Sequence, residues 1–212
     1  MRIVPASFEV LTKIDGEEML RGLEEVARTC YQSEGNICEG SAAVLIQKLL
    51  DHDPPHDAMI EFDDIKVRFI VDRGITHEMV RHRIASFAQE STRWCNYLKG
   101  RFGGEITVID LKEHCKTERG YRIWLEHQEA CEAAYTAMLG AGETPQIARS
   151  CLSNSTKAMI VMKTNLRSWR NFFRLRAAKP AHPQMREVAC PLLVELRKAI
   201  PIVFDDVGDP NA

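Results

Sequence analysis

The sequence has no CxxC pair, no regular cysteine spacing and no marked excess of one charge, and each absence removes a class of protein. Its seven cysteines, at 30, 38, 95, 115, 131, 151 and 190, are odd in number and irregularly spaced. That argues against a disulfide framework or a zinc ribbon and fits reduced thiols in a cytoplasm. No stretch approaches the roughly 18 apolar residues a membrane span needs. The opening Met1 to Glu9 has no long apolar run before its first acid, so a soluble, unprocessed, cytoplasmic chain is expected. With 28 Lys and Arg against 30 Asp and Glu, the formal net charge is -2. No global positive field points to nucleic acid or membrane, so any cationic site is local. Repeats, low-complexity segments and linkers are also missing. The 212 residues, 45% hydrophobic, therefore read as one α/β domain spanning 1–212.

Hydrophobic periodicity places the elements. Ile3 to Leu11, with Pro5 inside, reads as a strand near a sheet edge, because proline cannot donate to a ladder. Met19, Leu20, Leu23, Val26 and Ala27 recur at helical spacing within Glu17 to Thr29, and Ser41 is the expected cap of a second helix through Val44 to Leu50. Ile65, Val67, Phe69 and Val71 alternate as a half-buried strand ended by Asp72-Arg73-Gly74. Thr76 is the expected cap of a short helix carrying Met79 to Arg83, followed by a polar loop through Gln89, Glu90 and Ser91. Ile106 to Ile109 reads as a strand, and Glu118 to Leu139 as a helix closed by Gly140. Thr144-Pro145 reads as a cap and first helical turn, with Arg149 about one turn inside. Ala158 to Met162 reads as a buried strand, after which Asn165 caps a helix. In that helix Leu166, Trp169, Phe172 and Phe173 share a packing face; Arg167, Arg170, Asn171 and Arg174 share a polar face open for binding. Pro183 opens the last helix, which Pro191 is expected to kink or break.

Three arginine-bearing segments stand apart from this framework: Arg81-His82-Arg83 leading through seven residues to Ser91 and Arg93, then Arg149, then Asn165 to Arg176. Guanidinium forks match phosphate and carboxylate oxygens, so their clustering points to a phosphorylated ligand. Gln89, Ser91, Asn165 and Asn171 add hydrogen-bonding groups suited to a ring or ribose. Against this stands the ordinary expectation that arginines on a helix face are simply solvated.

The spacing Arg-His-Arg, seven residues, Ser resembles the signature of the flavin-dependent thymidylate synthases. Here it runs from Arg81 through Ser91 to Arg93. The likeness extends in chain order to Ala27-Arg28-Thr29-Cys30, His56 to Glu61, Arg149, Asn165-Leu166-Arg167, Asn171, Leu175-Arg176 and His182. Cys30, Ala58, Trp94 and Ser153 depart from the commonest residues of the pattern, and none of these departures removes a phosphate-binding cation.

The resemblance implies the thymidylate synthase-complementing-protein fold, a central, mostly antiparallel sheet flanked by helices. It implies FAD on Cys30, His56, Ala58, Arg81, His82, Arg83, Gln89, Asn165, Leu166, Arg167, Asn171 and His182. It implies dUMP on Glu78, Arg81, Gln89, Glu90, Ser91, Thr92, Arg93, Arg149 and Arg176, with Arg176 catalytic against the uracil. NADPH and 5,10-methylenetetrahydrofolate would be co-substrates, the product dTMP, and the assembly a homotetramer with shared sites.

No metal is expected, since Cys115 beside His114 lacks further ligands and His77 and His127 read as surface residues. Cys190, in an apolar helical stretch without an activating cation, reads as a buried, inert thiol rather than a nucleophile. Two alternatives stay open: a relative with altered pyrimidine or one-carbon chemistry, and a module that binds nucleic-acid phosphates, against which the near-neutral charge speaks.

Overall fold

The computed structural model describes residues 1–208. Its elements run β1 (Arg2–Val4), β2 (Ser7–Val10), α1 (Gly16–Thr29), α2 (Ser41–Leu50), β3 (Asp64–Asp72), α3 (Arg73–Met79) and β4 (Ser86–Gln89). Then come β5 (Thr107–Ile109), α4 (Glu118–Gly140), α5 (Pro145–Ala148), β6 (Lys157–Asn165), α6 (Leu166–Arg176) and α7 (Pro183–Ala199). One sheet is the parallel pair β1 and β5, with Arg2 opposite Thr107 and Val4 opposite Ile109; the other has the order β2-β3-β6-β4. Mixed helices with an antiparallel sheet agree with the expected fold class.

The central strands follow the period-two rule. Ile65, Val67, Phe69 and Val71 of β3 are buried, as are Ala158, Ile160, Met162 and Thr164 of β6, while Met159 and Lys163 face solvent. β6 is thus longer than its apolar run suggests, because Thr164 continues the buried face. The opening strand is two strands: Pro5 interrupts the ladder, leaving β1 in one sheet and β2 at an edge of the other.

Helix termini account for most other departures from expectation. The Asp72 carboxylate accepts from the Ile75 N–H at 2.7 Å and caps α3, whereas Thr76 lies inside it and donates to the Arg73 carbonyl. Consequently α3 ends at Met79, the Arg81-His82-Arg83 run lies beyond it, and residues expected in a loop form β4. Gly40, at φ 77°, is the N-cap of α2; Ser41 is its first residue and bonds the buried Glu24 at 2.8 Å. Gly140 ends α4 as a helical residue, and the left-handed position is Gly142 at φ 96°, whose N–H reaches the Leu139 carbonyl. Helix α7 runs unbroken through Pro191, whose exposed ring accompanies seven buried α7 side chains that outweigh the lost hydrogen bond.

The chain forms two compact units. One comprises Met1–Phe8, Arg68–Arg81 and Phe87–Val161. Its core gathers Tyr97, Ile106, Val108, Tyr135 and Ala148, and the Met1 ammonium lies 3.0 Å from both Glu105 and Glu132. Those carboxylates hold the ammonium above its ordinary pKa.

The other unit comprises Glu9–Val67, His82–Ser86 and Met162 onward. Here the apolar face of α6 is fully buried as expected: Trp169 stacks on Phe173, Phe172 meets both edge-on, and Phe204 closes on Phe173 at 5.7 Å between centroids. Each such side chain contributes about 2 kcal/mol through apolar burial. Gly16 admits a close approach, since a Cβ there would lie 2.1 Å from the Ala199 carbonyl oxygen.

Candidate active site

In the first unit, β4 leads directly into the predicted nucleotide-binding residues. The Gln89 amide nitrogen donates to Thr76 Oγ1 at 3.1 Å. After Glu90 the chain makes a helical turn in which the Ser91 carbonyl accepts from the N–H groups of Trp94 and Cys95. That turn leaves Ser91, Arg93 and Trp94 exposed and buries Thr92. Arg149, at the end of α5, donates from Nη1 to Thr92 Oγ1 at 3.3 Å, so two of the three arginine segments meet here. Ser91 and Arg93 line a cavity of about 640 Å³; Thr92, Arg149 and Arg73 line a neighbouring one of about 530 Å³, and Gln146 belongs to both walls.

Glu90 is engaged within the protein. It accepts from Lys157 Nζ at 2.6 Å, the Tyr97 hydroxyl at 3.0 Å and the Met159 N–H at 3.2 Å. Burial, reinforced by the Glu90 charge, pushes the Tyr97 phenol far up, so it stays a donor. Tyr97 and Lys157 were not legible as neighbours of the site, being 7 and 67 residues from Glu90. Glu78 is half-buried on α3, and Arg81 is exposed just beyond that helix.

The second unit holds most of the predicted flavin-binding residues. His82 is buried; its Nε2 accepts from Arg176 Nε at 2.9 Å and its ring meets Phe172 edge-on at 5.0 Å. Accepting at Nε2 requires the neutral imidazole with its proton on Nδ1. Arg83 is exposed, and the Ile84 carbonyl accepts from the Thr164 hydroxyl, tying this segment to the end of β6. Asn165 caps α6 as expected, accepting from the Ser168 N–H at 2.8 Å. Asn171 is exposed and Leu166 is buried, so the Leu166 side chain is a core residue and only its backbone is available to a ligand.

The polar face of α6 is less open than its sequence suggests. Arg167 pairs with Glu61 at 2.6 Å and Asp57 at 3.1 Å, and the Glu61 hydrogen bond is the main reason its pKa is raised. Arg170 is buried, bidentate to Asp206 at 2.6 Å on both oxygens, and donates to the Val203 carbonyl. It is a structural ion pair and not part of a binding face. His56 and Ala58 are exposed on the 310 turn that carries Asp57 and Glu61, with His56 stacked on His52 at 4.1 Å. His182 caps α7, accepting from the Gln184 N–H, and Cys30 is exposed after α1. Cys190, expected to be buried, is half-buried and faces the Ala177 carbonyl. Among the described residues no helix is long and apolar enough to cross a membrane.

The predicted residues thus fall into two sets. Those for the nucleotide, Arg176 excepted, lie in the first unit; those for the flavin, Arg81 and Gln89 excepted, lie in the second. Cationic and amide donors of this kind suit the phosphate and carbonyl oxygens of a nucleotide-like ligand. The family model described as thymidylate synthase complementing protein matches residues 13–202, and the chain belongs to this family of flavin-dependent thymidylate synthases.

Among its relatives, the flavin-dependent thymidylate synthase of Corynebacterium glutamicum is 30% identical over 220 residues, covering 95% of this chain and 84% of that one. That of Geobacter sulfurreducens is 29% identical over 187 residues, covering 86% and 79%. Two solved structures share the fold. The UMP/dUMP methylase PolB from Streptomyces cacaoi, bound with 5-Br dUMP, has a TM-score of 0.78 at 21% identity, covering 97% of this chain and 96% of the other. Thymidylate Synthase X from Helicobacter pylori, with FAD and dUMP, has a TM-score of 0.76 at 20% identity, covering 95% and 98%.

Proposed function

We propose that the chain catalyses reductive methylation of dUMP to dTMP as a cytoplasmic homotetramer whose sites are shared between copies, with 1–212 acting as a single catalytic domain. The observation that carries this reading is the Arg81-to-Arg93 motif, whose Ser91 and Arg93 open on one cavity while Arg149 is bonded to the adjoining Thr92. Ser91, Arg93 and Arg149 would hold the nucleotide phosphate, combining hydroxyl and backbone donors with two guanidinium groups. Gln89 and Arg81 would complete the nucleotide's polar contacts, while Glu90 keeps the turn in place through Lys157 and Tyr97.

The donor set in the second unit fits FAD. Arg83, Asn171, His56 and His182 are exposed nitrogen-bearing side chains suited to a pyrophosphate and to the carbonyl edge of a flavin, and Asn165 stands beside them in sequence at the start of α6. Arg167 would contribute less charge than its sequence implies, because two carboxylates already balance it. When bound and reduced by NADPH, the flavin supplies the hydride that completes the methyl group begun by methylenetetrahydrofolate.

Arg176 is the proposed catalytic residue. Its Nε is committed to His82, which fixes the guanidinium plane, and the cation stabilises negative charge on the uracil as the ring becomes electron-rich. No cysteine nucleophile is needed in this reading, and the half-buried Cys190 has the Ala177 carbonyl as its neighbour.

The test is the visible spectrum of the purified protein with added FAD, followed anaerobically on addition of NADPH with and without dUMP. Bound flavin that bleaches faster with dUMP, with dTMP as product, is the expected result. A protein that binds no FAD under any condition overturns the reading. Because the fold is shared with a UMP/dUMP methylase, product analysis should include UMP beside dUMP. Methylation of UMP alone would replace dUMP as the acceptor.

A further inference from the structure

The cavity bordered by Ser91 and Arg93 holds more positive charge than one phosphate requires. Among the described residues its lining includes Arg93, Lys99 and Arg101, and no carboxylate. A single phosphate brings about two negative charges near neutral pH. On the proposed function, Arg93 with Arg149 already supplies that balance. Lys99 and Arg101 are then surplus, in a chain whose overall charge is -2.

The local structure presents these two cations outward. Lys99 precedes a 310 turn, Gly100–Phe102, which ends at Gly103 and Gly104 with φ of 109° and 77°, left-handed positions suited to glycine. Within the turn the Arg101 guanidinium carbon lies 4.6 Å from the centre of the Phe102 ring, a cation–π contact that steadies the fork without neutralising it. On the same cavity wall Trp94 is 84% exposed, a large apolar surface left in water. At about 640 Å³ the cavity has the size of a ligand site rather than of a single anion site.

We propose that this cavity accepts the phosphate chain of a pyrimidine nucleoside triphosphate, the first phosphate on Ser91 and Arg93 and the outer ones on Lys99 and Arg101, in competition with dUMP. Trp94 offers the apolar surface for the nucleoside. The inference rests on the assignment of Ser91 and Arg93 to the dUMP phosphate and extends it to regulation: the triphosphorylated product of later phosphorylation steps would occupy the acceptor's place and slow its own supply.

The experiment is a binding titration on the full-length protein, with magnesium removed by chelation, using dUMP, dTMP, dTTP and inorganic tripolyphosphate as probes. It compares the wild type with a K99Q/R101Q variant, whose positions are exposed and lie outside the proposed catalytic set. The expected result is dTTP displacing dUMP and binding at least about tenfold more tightly than dTMP, a gain of the size charge-assisted contacts give. The variant should lose that gain while its affinities for dTMP and dUMP stay unchanged. Equal affinity for dTTP and dTMP, or a gain that survives in the variant, overturns the inference. Tripolyphosphate matching dTTP also overturns it, since the nucleoside then contributes nothing. If dUMP and dTMP fail to bind while dTTP binds through Lys99 and Arg101, the polyphosphate site stands and the synthase reading falls.

Discussion

Replacing Asp206 with asparagine isolates one buried charge. Arg170 is 1% exposed, and its two terminal nitrogens meet the two Asp206 oxygens at 2.6 Å, with the Val203 carbonyl as a further acceptor. Removing one partner of a fully buried pair costs about 3–5 kcal/mol, because the remaining charge is left uncompensated. Here the Asp206 side chain is 57% exposed, so water screens the pair and can partly replace the carboxylate. The Val203 carbonyl also remains. The discounted cost is about 2 kcal/mol, which for a chain of this size lowers Tm by about 4–8 °C. The assay is thermal unfolding by circular dichroism at a series of pH values. Burial raises the Asp206 pKa, but the hydrogen bonds and charge of Arg170 more than offset it and leave the carboxyl below its ordinary value. A depressed folded-state pKa means that the stabilisation is complete above the unfolded-state pKa and is lost as pH falls through the folded one. The gap between wild type and D206N should therefore be constant from pH 7 to about 5 and close below about pH 4. A variant that melts with the wild type at pH 7, or a gap that ignores pH, would refute the argument.

Three further outcomes are expected. Arg176→Ala should lower kcat for dTMP formation by about 10²–10³, the usual loss when one electrostatic stabiliser is removed, with flavin binding retained; full activity at saturating dUMP ends the catalytic assignment. Arg149→Ala should weaken dUMP binding by about tenfold through loss of a charge-assisted contact, as read by titration, whereas unchanged affinity would detach Arg149 from the phosphate. Gly16→Ala should destabilise more than an ordinary helix substitution, by at least about 1 kcal/mol in urea unfolding, because its Cβ would meet the Ala199 carbonyl at 2.1 Å. An unchanged urea midpoint would show that the backbone there yields freely.

The elements legible in the sequence are those whose side chains carry a period. The β3 alternation, the α1 face and the Leu166, Trp169, Phe172, Phe173 face of α6 all coincide with buried positions. The misread segment is Asp72 to Gln89, for two physical reasons. Asp72 ends β3 and caps α3 at once, so the strand leaves no turn between them, and a later threonine looks like the start. Strand β4 is four residues long, at a sheet edge, and half-exposed, so it exists through pairing with β6 rather than through propensity. Pro191 reads as a breaker because its local cost is visible in sequence, while the compensating burial along α7 is a tertiary quantity.

For the candidate site, the sequence shows residue types and their order, but not their charge balance. Arg93, Arg167 and Arg170 look alike in sequence, yet Arg93 opens on a cavity with no acid among its described lining residues while Arg167 and Arg170 are bound by carboxylates. Those carboxylates lie 106 and 36 residues away, beyond any local pattern. This difference bears on where an anion is attracted. A guanidinium already paired gains little from a phosphate, because the new contact must displace a carboxylate of the same sign. One on an acid-free wall keeps its full attraction. By that criterion the wall formed by Ser91, Arg93, Lys99 and Arg101 suits an anion, as does the neighbouring wall that carries Arg73 and Arg149. Along α6 the arginines have other roles: Arg170 secures the helix, Arg167 anchors its start, and Arg176 donates from Nε to Nε2 of His82. On the proposed function, a neutral His82 orients the Arg176 guanidinium without adding a negative charge beside it, so exchanging His82 for a carboxylate should cost more activity than exchanging it for glutamine.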